Sequence, residues 1–404
     1  MEPIKELQPG TGPLAGLTVL DLTRVLSGPF AAMWLATMGA DVIKVENPGS
    51  PDVTRDYGPY MNEKSTYYPT VNHNKRSITL NLKTDEGKKL FLDLVKVADA
   101  VIENFRPGVM DKLGLGYEEL KKANPGIVYA SISGYGTYGP YAQRPGYDAT
   151  AQAMSGIMYM TGPEGGEPTR VGSSVADTVG GVTSLVALLA ALLCKTRTGL
   201  GQKVEVSLVD AMISLSTQDY IRYFVRGEVP TRIGNIYKTW TPYGTYRAKD
   251  GYYNIGCGAD KQFQLLARAM GRPELGEMLE YRTHADRVAR RRELDDIING
   301  WAADKTVQEV VGILVESGVP CAPVNSIVEL EKDEHIAGAR EMFPTLHQPG
   351  VGDFKVTNIP VRFAGSGLAP LKAAPELGES NEEVYAMVGR TPEDLARLHE
   401  QGVI

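Results

Sequence analysis

Histidine and cysteine are scarce in this chain, and each shortage removes a class of chemistry. The five histidines, His73, His284, His335, His347 and His399, are scattered, with no HExxH run and no pair at i, i+4, so no metal is expected. The three cysteines, Cys194, Cys257 and Cys321, lie far apart without a CxxC pair and read as reduced thiols of a cytoplasmic protein. Positive charge is in deficit too. With 42 Lys and Arg against 49 Asp and Glu, the net charge of -7 argues against wholesale binding to nucleic acid or to an anionic membrane. An anionic ligand must therefore find a local basic pocket. The longest apolar run, Val179 to Cys194, is too short to span a bilayer comfortably and contains Gly180-Gly181; it reads as a buried core or interface helix. Met1-Glu2-Pro3-Ile4-Lys5 opens no charged region leading into an apolar one, so no secretory signal is expected.

Several familiar site patterns are missing as well. The turn Asp21-Leu22-Thr23-Arg24-Val25-Leu26-Ser27-Gly28-Pro29 has one glycine where a dinucleotide fingerprint needs three. No GxxxxGK[ST] phosphate loop occurs. The nearest approach to a hydrolase elbow, Ser131-Ile132-Ser133-Gly134, lacks its leading glycine.

What is present is a long, ordinary globular composition: 404 residues, 43% hydrophobic and 23% charged, enough for two domains or one with a large insertion. Strand-like Leu17 to Leu22, helix-like Ser27 to Ala40 and strand-like Asp41 to Glu46 make a βαβ unit. The alternation repeats through Ser77 to Leu82, Asp85 to Ala98, Ala100 to Phe105, Tyr117 to Asn124 and Ile127 to Ser133. A doubly wound parallel sheet follows. A helix from Tyr147, a long helix after Asp177, a strand over Lys203 to Leu208 and a helix over Val209 to about Val225 complete a large domain, 1–225. Tyrosine-rich turns and helical stretches at Gln262 to Met270 and Val307 to Ser317 suggest a smaller α+β domain, 226–324. The rest, 325–404, returns to the large domain and ends on a helix over Pro392 to Gln401.

One segment stands out chemically. In Val171-Gly172-Ser173-Ser174-Val175-Ala176-Asp177-Thr178-Val179-Gly180-Gly181, small residues set a single carboxylate where a long apolar helix begins. The helix terminus should keep it ionised, and an ionised carboxylate is a nucleophile. From spacing alone, an ordinary aspartate N-cap is the commoner reading. Lys75, Arg76, Lys83, Arg106, Lys112 and Arg144 fall near strand ends or in the following turns, the edge where open α/β sheets bind ligands; for any single one, solvated surface charge is the commoner reading. Asn104-Phe105 ends a strand with an amide and a ring that could hold an adenine or belong to the core.

Together these segments resemble the class III CoA-transferases, the family of formyl-CoA transferase, which also contains the α-methylacyl-CoA racemases. The resemblance runs along nearly the whole chain, through GLTVLDLTRVLSGPFAAMWLATMGADVIKVENPG (Gly16 to Gly49), NKRSITLNLKTDEGK (Asn74 to Lys88), IENFRPGVMDKLGLGYEEL (Ile102 to Leu120), SISGYGTYGPYAQRPGYDATAQAMSG (Ser131 to Gly156), SSVADTVGG (Ser173 to Gly181) and GLGQKVEVSLVDA (Gly199 to Ala211). It implies that Asp177 is the catalytic aspartate. It implies contacts to CoA from Leu26, Ser27, Asn47, Leu80, Asn81, Lys83, Asn104, Phe105, Arg106, Lys112, Arg144, Tyr147 and Asp148, with the basic side chains on phosphates. It also implies an interlocked homodimer, a heteromer with a paralogous subunit being the alternative. CoA thioester and carboxylic acid are then substrates, succinyl-CoA being a common donor, and no permanent cofactor is required.

Two departures narrow the activity that the resemblance implies. Where the racemases carry an acid-base histidine, this chain has Tyr147, a poor base at neutral pH, which favours transfer over epimerisation. Leu26 and Asn47 replace the Gln and Arg of the formyl-CoA:oxalate enzymes, and their tetraglycine loop is missing, which weakens oxalate as the acid. Gly256-Cys257-Gly258 is either a mobile segment over the site or a tight turn. Arg170 or Arg222 could bind a distal carboxylate.

Overall fold

Apolar residues alternate between two faces along each of the first strands, and that alternation builds a three-layer unit. The computed structural model describes residues 10–404; the opening Met1 to Lys5, on which the expectation of no secretory signal rests, lies outside them. Six strands, β1 (Thr18–Asp21), β2 (Asp41–Glu46), β3 (Arg76–Thr79), β4 (Ala100–Glu103), β5 (Val128–Ser133) and β6 (Lys203–Ser207), pair in parallel in the order β3-β2-β1-β4-β5-β6. Val19, Val42, Ile102 and Ala130 feed one core, which α1 (Ser27–Thr37) and the long helix α4 (Val175–Thr198) cover. Leu20, Ile43, Val101 and Tyr129 feed the other, against α2 (Asp85–Val97) and the C-terminal residues Val384, Tyr385, Leu395 and Leu398. Parallel strands need this double cover because both faces are apolar.

Local chemistry explains the helices. In α2, Thr84 accepts the Gly87 N–H at 3.0 Å, Asp85 and Glu86 occupy the first turn and Lys96 the last, and Leu90, Phe91, Leu94 and Val95 form the buried stripe. By length and composition α4 could cross a membrane; here Gly180, Gly181, Ser184, Leu185, Leu188 and Leu192 are buried in the protein. The single helix expected over Val209 to Val225 is two, α5 (Leu208–Leu215) and α6 (Thr217–Arg226), because the chain leaves helical geometry at Ser216. The last residues pack against the sheet: the Tyr385 hydroxyl donates to the Thr79 carbonyl at 2.6 Å, and Asn81 N–H to that of Val403 at 2.7 Å.

The chain divides into two compact units. The first comprises the described residues up to Ile157, Arg170–Gly227 and Glu341–Ile404; the second, Met158–Thr169 and Glu228–Arg340. The second has an antiparallel sheet, β9 (Cys321–Pro323), β8 (Tyr252–Gly256) and β7 (Tyr243–Arg247) in that order, around a core that includes Tyr253, Phe263, Leu294 and Leu314. Within it Gly256-Cys257-Gly258 is tied down. Their N–H groups donate to Pro320 O, Pro242 O and Gln262 Oε1, and the Gly258 carbonyl lies 3.0 Å from His284 Nε2.

Candidate active site

Strand order reverses between β1 and β4, so the connections that leave their C-terminal ends run to opposite faces of the sheet; in open α/β sheets such a switch point is where ligands bind. The turn leaving β1 is held there by side chains from elsewhere. Asn104, just past β4, clamps Arg24 from both sides: its Oδ1 accepts the Arg24 N–H at 2.8 Å and its Nδ2 donates to the Arg24 carbonyl at 2.7 Å. Val25 then takes a left-handed φ of 71°, a conformation a β-branched residue rarely adopts and one costing about 1–3 kcal/mol. Its N–H points at the Asp52 carboxylate, 3.3 Å from each oxygen. Asp52 is itself paired with the fully buried Lys44 at 3.0 Å.

A second buried pair underlies the same turn. Lys75 Nζ reaches Asp21 at 2.8 Å, with both side chains fully buried, and also donates to Pro29 O and Asn72 Oδ1. Burial would raise the Asp21 carboxyl, but the charges of Lys75 and Lys44 more than offset it and hold it below the usual range. Lys75 is therefore neither free for a phosphate nor solvated surface charge, the two readings its sequence position left open. Arg76 opens β3 rather than following a strand end, and pairs with Asp41.

Asp177 sits in the first turn of α4, but the structure does not use it as a cap. The N-cap position is Ser174, whose side chain caps nothing. Asp148, opening α3 (Asp148–Met154), does the capping from 28 residues away: its Oδ1 accepts the Ala176 N–H at 2.8 Å. Its Oδ2 takes Gln152 Nε2 at 2.8 Å, and Arg170 lies 3.7 Å from that oxygen. Gln152, fully buried, also accepts the Val171 N–H at 3.0 Å, so α3 staples the segment that leads into Asp177.

The Asp177 carboxyl is half-buried, and burial pushes its pKa up to about 6, with the nearby Asp148 charge adding to the rise. The expectation that the helix terminus would hold it well ionised was thus too strong. The donor nearest in sequence is spent on Asp148, and desolvation wins. At neutral pH the group is still ionised but poorly solvated. Its charge in turn adds to the rise that burial imposes on the Tyr67 hydroxyl.

Asp177 lines a cavity of about 190 Å³ with Leu26, Ser27, Asn104, Phe105, Arg106, Arg144 and Tyr147. The Arg144 to Tyr147 stretch can approach because Gly134 and Gly146 touch through their backbones; a Cβ on Gly134 would lie 2.7 Å from Gly146 Cα. A second cavity of about 300 Å³ is lined by Asn47, Leu80, Lys83 and Phe105. Arg24 and Phe105 line both. Asn81 is joined to this wall by accepting from Asn47 Nδ2 at 3.2 Å. Among the described residues Lys83, Arg106 and Arg144 form no ion pair, although the Arg144 guanidinium stacks on Tyr141 at 3.8 Å. Lys112 is exposed and lines neither cavity, and Asp148 is buried beneath the first rather than lining it. Arg170 turns to Asp148 and the Ser173 carbonyl, and neither it nor Arg222 lines these cavities.

Sequence reasoning missed Arg24, Val25, Ser133 and Tyr67 as parts of this site. Arg24 and Val25 lie inside the turn already noted, and their place next to Asn104 is a contact across 80 residues that local pattern does not carry.

The model of CoA-transferase family III matches residues 14–381. Among curated proteins, the succinyl-CoA:glutarate CoA-transferase of Mus musculus is 37% identical over 97% of this chain and 90% of its own length. The succinyl-CoA:mesaconate CoA-transferase of Haloarcula marismortui is 39% identical over 94% of this chain and 97% of its own. A crystal structure of a CAIB/BAIF family protein from Brucella suis superposes with a TM-score of 0.82 at 37% identity, covering 94% of this chain and all of that one.

Proposed function

The chain belongs to CoA-transferase family III, and from that premise we propose that it moves CoA from succinyl-CoA to a second carboxylic acid, with Asp177 as the covalent carrier. The observation that carries the reading is a carboxylate ionised at neutral pH, poorly solvated, and set in a switch-point cavity beside Arg106 and Arg144. The choice of donor follows the names of the glutarate and mesaconate enzymes, both succinyl-CoA-dependent.

The chemistry needs only the chain and its substrates. An Asp177 oxygen attacks the thioester carbonyl, and collapse of the adduct expels CoA thiolate and leaves a mixed anhydride. The thiolate then attacks the aspartyl carbonyl, releasing succinate and forming an aspartyl-CoA thioester. The incoming carboxylate attacks that thioester to give a second anhydride, from which CoA thiolate takes the new acyl group and frees Asp177. One thioester replaces another, so no ATP is consumed. Water must be kept from the anhydrides, and the half-burial of Asp177 suits that need. Phosphate-binding falls to Lys83, Arg106 and Arg144, which line these cavities and have no carboxylate partner among the described residues. No histidine lines the cavity, and Tyr147 at its wall is 70% exposed, which favours transfer over epimerisation.

The acting form is a homodimer in this reading. Val186 and Leu193 on α4 and Ile221, Phe224 and Val225 on α6 are exposed apolar side chains of a kind that a second copy would cover. Mass spectrometry of the acyl-CoA products, after incubation with succinyl-CoA and a panel of dicarboxylic, hydroxy and betaine acids, tests the function. A new thioester that depends on one of the acids supports it. Solvent deuterium entering the α-carbon of a 2-methylacyl-CoA, with no acid required, would replace it with an epimerase.

A further inference from the structure

Ser27, the first residue of α1, is placed in a way the chemistry above does not yet explain. Its Oγ has no hydrogen-bond partner although the residue is only 5% exposed. Buried hydroxyls ordinarily find an acceptor, and leaving one unmade costs free energy. The residue lines the same cavity as Asp177. Both are tied to one face of α4, since Gly180 and Gly181 follow Asp177 at i+3 and i+4. A Cβ on Gly181 would lie 2.6 Å from the Ser27 carbonyl oxygen, and one on Gly180 would lie 3.4 Å from the Ser27 Oγ. The two glycines therefore let Ser27 press against α4 about one helical turn, roughly 5 Å of rise, from Asp177.

The end of α1 adds to this. Leu26 stands at the N-cap with no side chain able to cap, and Pro29 has no N–H. The N–H groups of Ser27 and Gly28 are among those a helix leaves without an internal acceptor, and they carry the positive end of its dipole. An unpartnered donor beside them lacks one thing, a negatively charged oxygen.

We infer that Ser27 is a catalytic residue of the acyl transfer, its hydroxyl donating a hydrogen bond to the carbonyl oxygen that becomes an oxyanion when Asp177 attacks. The inference rests on the proposed function. As an Asp177 oxygen bonds to the carbonyl carbon, the C=O π pair moves onto oxygen. The Ser27 O–H and the α1 terminus stabilise that charge. When the C=O reforms, the C–S bond breaks, CoA thiolate leaves with its electron pair, and Ser27 keeps its proton throughout. Because the Oγ has no partner to lose, turning it between staggered positions breaks no hydrogen bond. Ser133 also offers an unpartnered hydroxyl on this cavity, but it ends a strand and has no helix terminus behind it.

The test is Ser27→Ala, with Ser27→Gly beside it so that a folded form without the hydroxyl is in hand. Exchange from succinyl-CoA is followed in both half-reactions, formation of the enzyme-bound acyl species and its discharge to acid, together with the Kd for free CoA and the Tm. The expected result is a kcat loss of roughly 10- to 1,000-fold falling on both half-reactions alike. The Kd for CoA should hold and the Tm stay level or rise, since an unsatisfied group has been removed. A kcat within about threefold of the unaltered chain overturns the role. So does a loss confined to KM and to CoA affinity, which would make Ser27 a binding contact. The unaltered chain separates the two claims: no exchange there defeats the proposed function and this inference together, whereas exchange that survives in Ser27→Ala defeats only the hydroxyl.

Discussion

The carboxylate of Asp148 accepts the backbone N–H of Ala176 at 2.8 Å, one residue before Asp177. That bond fixes the start of α4, and it also brings a negative charge close to the carboxyl proposed to do the chemistry. One residue thus positions the proposed nucleophile and adds to the rise that burial imposes on its pKa.

A pH profile should register the second effect. Attack needs the ionised carboxylate, so kcat/KM should rise with pH through about 6 and level off above it. Asp148→Asn keeps an oxygen for the Ala176 N–H but removes the charge. Burial, the larger cause, remains. The midpoint should therefore fall below 6 while staying above the ordinary 3.8. A midpoint unchanged or raised would contradict the electrostatic role.

Stability should respond to Asp177 in the opposite sense to activity. Its folded-state pKa lies above the unfolded value, so the fold prefers the protonated form. The contribution is fully present below about pH 4 and is lost as pH rises through about 6, a loss on the order of 2–3 kcal/mol. Asp177→Asn escapes that loss. It should be inactive, more stable than the unaltered chain at pH 7 to 8, and close to it below pH 4, as read from urea midpoints at each pH.

The buried pair beneath the Val25 turn gives a third expectation. Lys44→Met leaves the Asp52 carboxylate buried without its cation, and should cost about 3–5 kcal/mol. Lys64→Met breaks an exposed pair with Glu376 at 3.2 Å and should cost less than about 1 kcal/mol. Equal losses for the two would mean that burial does not set the value of these pairs.

The sheet was legible because parallel strands covered on both sides read as short apolar runs with turns between them. Asp41–Glu46 has the bounds expected of it, and most other strands of the sheet are one to three residues shorter at an end, where fraying sets the limit. Small polar elements were not legible: the helix Asn381–Ala386 and the hairpin Thr345–Gln348 with Gly352–Lys355 have too few apolar positions to show a period. At the site, the residues named beforehand are a minority of those that line the two cavities, though Asp177, Arg106 and Arg144 are among them. What escaped were pairings distant in sequence, Asp148 with Ala176, Asn104 with Arg24 and Lys75 with Asp21. Burial, with the Asp148 charge adding to it, reversed the expected shift of Asp177, and the helix-end rule assumes an N–H that Asp148 has already taken.

The most direct measurement is to trap the covalent intermediate. The chain is quenched during turnover of succinyl-CoA, treated with hydroxylamine, digested and sequenced by mass spectrometry. The account predicts a hydroxamate on Asp177, absent from Asp177→Asn. A hydroxamate on a different residue, or none at all while exchange is proceeding, would contradict it.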